Sequence, residues 1–69
     1  MNEIIFVVEE DLEGGYTARA LNYSIFTAGD TLQELKDNIK DSVKCHFDIN
    51  ELPKIVRTHF VRDEVFTLQ

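Results

Sequence analysis

The chain has 69 residues, 43% of them hydrophobic, with five Phe and two Tyr, which suffices for one compact core and excludes a disordered chain. A domain of this size buries only about 60% of its unfolded surface and is marginal alone, so association is a common remedy. Thirteen acids against seven bases give a net charge of −6, which argues against general affinity for a phosphate backbone.

Asn2 to Glu10 reads as the first strand, and its centre, Ile4-Ile5-Phe6-Val7-Val8, is apolar at every position. Side chains alternate along a strand, so Ile4, Phe6 and Val8 face one way and Ile5 and Val7 the other. An unbroken apolar run implies cover on both faces. The rest of the chain supplies one helix, which covers only one face. The second face calls for another copy or a different protein.

Asp11-Leu12-Glu13-Gly14-Gly15 is a turn, because the glycine pair supplies positive φ without steric cost. Tyr16 to Ala20 follows as the second strand and closes a hairpin. Leu21-Asn22 permits another tight turn, and Tyr23 to Ala28 reads as the third strand, with Tyr23, Ile25 and Thr27 opposite Ser24, Phe26 and Ala28.

Gly29-Asp30-Thr31 opens a helix. Asp30 with Gln33 and Thr31 with Glu34 both have capping-box spacing, and the sequence does not choose between them. Leu32, Leu35, Ile39, Val43 and either His46 or Phe47 form one apolar stripe, while Asp37, Lys40, Asp41 and Lys44 form the wet side. Asp48 to Pro53 is a connector, since Pro53 has no N–H to offer a ladder. Ile55 to Val61 is the fourth strand, with Ile55, Arg57, His59 and Val61 opposite Val56, Thr58 and Phe60. Val65-Phe66-Thr67-Leu68 is a short apolar tail.

Three strands joined by short turns form an antiparallel meander, and the helix then carries the chain across the sheet. The most buried strand belongs in the middle, which places the fourth strand parallel beside the first. The expected architecture is α+β, a single domain over 1–69, with spatial order 3-2-1-4 and the helix on one face.

The charges are segregated. Residues 1–18 hold Glu3, Glu9, Glu10, Asp11 and Glu13 without a basic residue, whereas Leu52 to Arg62 hold Lys54, Arg57, His59 and Arg62 without an acid. An acidic end of this kind attracts a basic partner.

The stretch from Glu9 to Tyr16, then Ala20-Leu21-Asn22, then Ala28-Gly29-Asp30-Thr31-Leu32-Gln33-Glu34-Leu35 resembles the HicB-like antitoxin family over about residues 1–50. The order and spacing of these segments carry the resemblance, since each alone is common. It implies a partial ribonuclease-H-like β-β-β-α-β sheet, which the topology above reaches independently. It also implies a non-enzymatic antitoxin in a bacterial or archaeal cytoplasm that holds a small basic HicA-type, mRNA-cleaving toxin inactive. Many members carry a C-terminal operator-binding domain. Here too few residues follow Val61 for such a unit, so no direct DNA binding is expected. The alternative expectation is a solitary homo-oligomer, a dimer or tetramer, in which the fourth strand and tail cover a second subunit.

The ribonuclease-H likeness invites a two-metal nuclease, which needs carboxylates converging from strand and helix. Ile4 to Val8 offers none, and Asp11, Asp30 and Asp63 sit at turns or strand ends. Cys45, His46, Asp48 and His59 have ligand chemistry, but adjacent helical residues point about 100° apart. A core thiol is the simpler reading of Cys45, and a lone cysteine with no leader-like or long apolar segment fits the cytoplasm without a membrane anchor. No cofactor and no metal are expected. The residues expected at a toxin or subunit interface are Ile5, Val7, Glu9, Glu10, Asp11, Glu13, Tyr16, Arg57 and His59.

Overall fold

The computed structural model describes residues 2–68. Its elements are β1 (Glu3–Glu10), β2 (Tyr16–Ala20), β3 (Phe26–Gly29), α1 (Leu32–His46), a 3-10 turn at Ile49–Glu51 and β4 (Ile55–Val61). The strands form one sheet in the order β3-β2-β1-β4. Pairing is antiparallel within the β1–β2–β3 meander and parallel between β1 and β4. This is the α+β architecture expected from the sequence. No helix among the described residues is long and apolar enough to cross a membrane.

The helix-side face of β1 is the centre of the core. Ile4, Phe6 and Val8 lie beneath Leu35, Ile39 and Val43, with Ala18, Ala20 and Ile25 completing the buried cluster. Phe6 and Val8 are completely inaccessible, and burying a side chain of that size contributes about 2 kcal/mol. The helix stripe is shorter than its spacing suggests. Leu32 remains 41% exposed, and of the two residues left open at the other end, Phe47 packs against the core while His46 is exposed.

Two local details differ from the sequence reading or complete it. The third strand starts at Phe26 rather than Tyr23, because the Ala20 N–H donates to Ile25 O at 3.0 Å and closes a loop around Asn22, whose φ is 68°. Asn tolerates that left-handed conformation, and Ile25 still reaches the core from the loop. Thr31 is the N-cap, its Oγ1 accepting from the Glu34 N–H at 3.1 Å. Asp30 is thereby left outside the capping role.

The position of α1 over the sheet is set at β3. Only Asp30 and Thr31 separate the two elements, and Asn38 Nδ2 donates to Ala28 O at 2.7 Å. The helix therefore lies over the β2–β3 side. Gly29 makes this close approach possible. A Cβ there would stand 2.5 Å from Leu35 N and 2.8 Å from Leu35 Cα, both backbone atoms that cannot swing aside. Gly29→Ala is expected to destabilise the fold by about 2 kcal/mol through overpacking. Urea denaturation checks this, with Thr31→Ala as a reference at about 1 kcal/mol for a lost cap. A neutral Gly29→Ala would mean that the helix does not sit this tightly on β3.

Candidate functional site

Residues paired across a sheet share a face, so the register sorts every side chain. On the face away from α1, Val7 stands between Arg19 and His59, and Arg19 is in turn opposite Phe26. In the same way Glu9 stands between Thr17 and Val61, while Ile5 is opposite Arg57 and Glu3 opposite Ile55. Ile5 and Val7 are half-buried among these longer neighbours. Phe26, Ile55 and Val61 are more open, at 68%, 52% and 41% exposure. Among the described residues, no second layer covers this face of β1.

Arg57 is held within its own chain. Its Nε donates to Glu3 Oε1 at 2.9 Å and its Nη2 to Glu3 Oε2 at 3.1 Å, a forked pair diagonal to the Ile5–Arg57 pairing. These hydrogen bonds hold the Glu3 carboxyl below its ordinary range, helped by the positive charge and opposed by desolvation. The same hydrogen bonds, and the charge of Glu3, raise Arg57. Of the two basic residues assigned to an interface, His59 is the one without an ion pair to a carboxylate among the described residues.

The acidic end is built by the β1–β2 hairpin. Asp11 Oδ1 accepts from the Glu13 N–H at 3.0 Å, the Gly14 N–H donates to Asp11 O, and the Asp11 N–H donates to Gly15 O, both at 3.0 Å. Gly14 and Gly15 have φ of 101° and 88°, as a turn of this tightness requires. Glu9, Glu10, Asp11 and Glu13 are all exposed. Leu12 stands fully exposed at the tip. Asp30 joins them from the start of the helix, sharing a shallow depression with Asp11, Gly14, Gly15 and Thr17.

The expected interface residues are therefore divided. Ile5, Val7, Glu9, Arg57 and His59 share the helix-free face. Glu10 and Tyr16 pair with each other on the opposite side, and Tyr16 packs against the core rather than standing free. The acidic end wraps around the sheet instead of lying flat on one surface. Leu12, Phe26 and Asp30 belong to this region and escaped the sequence reading. A leucine placed between acids in a turn was the available signal for the first.

The imagined metal cluster separates in space. Cys45 is exposed rather than a core thiol. The His46 ring packs edge-on against Tyr23 and Phe47, with centroids 5.9 and 4.8 Å away, whereas His59 lies on the other face of the sheet. Among the described residues, no group of three or more His, Cys, Asp or Glu is placed to hold a metal ion.

The Glu3–Arg57 pair predicts a specific acid response. Because Glu3 titrates below its ordinary value of 4.5, its contribution is complete above that value and is lost as pH falls through the lowered one. The stability difference between the wild-type chain and Glu3→Gln should stay constant near neutral pH and shrink on acidification. Urea denaturation across a pH series measures it, and a difference that persists in strong acid would contradict the assignment.

No family model and no solved structure gives a significant match to the chain. Two curated relatives do, each called a UPF0150 protein. One, from Thermotoga maritima, is 52% identical over 61 residues, covering 88% of this chain and 86% of the relative. The other, from Archaeoglobus fulgidus, is 56% identical over 52 residues, covering 75% of this chain and 77% of the relative. Identity at this level across most of both lengths makes the chain a member of the UPF0150 family.

Proposed function

We propose that the chain is a HicB-like antitoxin, a non-enzymatic protein of the prokaryotic cytoplasm that binds and neutralises a small basic mRNA-cleaving toxin of the HicA type. The reading rests on the continuity between the acidic end and the unlayered sheet face. Glu9, Glu10, Asp11, Glu13 and Asp30 gather at the end that Leu12 tips, and Val7, Ile5 and Phe26 continue from there across the sheet.

A protein that cleaves RNA carries positive charge where the phosphate backbone lies. Clustered carboxylates attract that charge and compete with RNA for it, while neighbouring apolar side chains exclude water from the contact. A standard interface takes about 800 Å² from each partner, a modest share of the chain's 5627 Å². The resemblance of residues 9–16, 20–22 and 28–35 to the HicB-like pattern supports the same reading.

Mixing the chain with its cognate toxin should give a stoichiometric complex and abolish RNA cleavage. Neutralising Glu9, Glu10 and Glu13 together, each to Gln, should weaken that complex roughly tenfold or more at low ionic strength and less in high salt. Undiminished RNA cleavage in the mixture, with no complex formed, would falsify the proposal. The chain alone with RNA and magnesium should show no cleavage above background, and magnesium-dependent cleavage would assign it to the nucleases instead.

A further inference from the structure

We infer that the tail of one copy, residues 63–68, docks in the groove between α1 and β4 of a second copy, and that the exchange is reciprocal, giving a two-fold dimer. The groove lies apart from the proposed toxin site, while the tail starts beside it, Asp63 and Val65 sharing a hollow with Glu9, Glu10, Asp11 and Leu12; the inference does not depend on that reading.

The tail is apolar and mostly open, meeting the rest of the described chain where Asp63 and Val65 border a hollow with Glu9 to Leu12. Beyond Val61 it carries Val65, Phe66 and Leu68 at 93%, 79% and 91% exposure, and it has no regular secondary structure. It also stretches the molecule. A compact chain of this length has a radius of gyration of about 11 Å, but here it is 13.9 Å, with extents of 56 × 20 × 17 Å.

The groove is the complementary vacancy. Because α1 sits over β2 and β3, the helix-side surface of β4 is left uncovered, with Val56 and Phe60 at 40% and 50% exposure. Two adjoining hollows between α1 and β4 share Lys40 and Val56 and have Ile39, Val43 and Leu52 along their apolar floor. An extended segment with side chains at two-residue spacing fits such a channel.

Charge selects the occupant. Lys36, Lys40 and Lys44 border the groove, and their four-residue spacing puts them in one row along that flank of the helix. Asp37 and Asp41 are each rotated a further 100° or so, toward the helix crest. The groove of this acidic chain therefore has a basic rim. A basic toxin is repelled there, whereas the tail opens with Asp63-Glu64 immediately before Val65-Phe66. A return of the tail into its own groove needs a sharp reversal at Arg62-Asp63-Glu64, which has no glycine to favour the turn.

Two variants of the full chain test this, with mass measured by light scattering and sedimentation. Phe66→Asp with Leu68→Asp removes the apolar contact at positions already exposed, so the protomer should stay folded. Its dissociation constant should rise by roughly a hundredfold. Lys36→Glu with Lys40→Glu should have the same direction of effect. Adding Asp63→Lys and Glu64→Lys to that groove variant should restore association. Mixing the tail variant with the groove variant should recover a heterodimer, because one tail and one groove remain intact. A wild-type chain that stays monomeric at high micromolar concentration overturns the inference, whether its tail is free or folded onto itself. So does a dimer unaffected by both variants. Toxin binding should persist in the Lys36→Glu, Lys40→Glu groove variant, whose positions lie away from the hairpin, so the two proposals fail separately.

Discussion

A single 15-residue helix must serve a four-stranded sheet, and the dimensions do not match. A helix with its side chains is about 10 Å wide, whereas four strands spaced about 4.8 Å apart span about 14 Å between outer axes. The helix cannot cover every strand, and the link from β3 decides which are covered. Two residues join β3 to α1, so the first helical turn must start directly above β3, and the missing Cβ at Gly29 leaves room for it. Asn38 then ties the middle of the helix to Ala28. Ile4, Phe6 and Val8 still fall beneath the helix, but β4, the strand farthest from β3, does not.

Two uncovered surfaces follow, and they differ in charge. The face away from the helix runs into the hairpin, where carboxylates predominate. The strip of β4 beside the helix is bordered by lysines. A net charge of −6 conceals this separation. The two surfaces therefore present opposite charge, carboxylates at the hairpin and lysines beside the helix.

The fold was readable because its strongest signals are periodic. The all-apolar centre of β1 identified the central strand, and the three- and four-residue spacing of Leu35, Ile39 and Val43 identified the helix. With short turns elsewhere, the order 3-2-1-4 followed. What escaped depends on tertiary placement. Leu32 fits the helical stripe in sequence but remains partly exposed, and Cys45 falls on an exposed flank of the helix. Tyr16 adjoins the acids in sequence, and the fold sets it on the helix side of the sheet opposite the exposed Glu10, partly buried against the core. Arg57 has a partner 54 positions away in sequence, and no local pattern could have supplied it. Asp30 joins the acidic end only because the fold brings the helix start beside the hairpin.

The parallel pairing of β1 with β4 joins the first strand of the chain to the last. Glu3 lies opposite Ile55 and Glu9 opposite Val61, a separation of 52 positions (55 − 3 and 61 − 9). Everything else in the sheet is local hairpin. During synthesis on the ribosome, the meander and helix can assemble while one edge of β1 still lacks its neighbour. That edge belongs to the most apolar strand of the protein, so the nascent chain passes through an interval of elevated aggregation risk until β4 emerges to seal it.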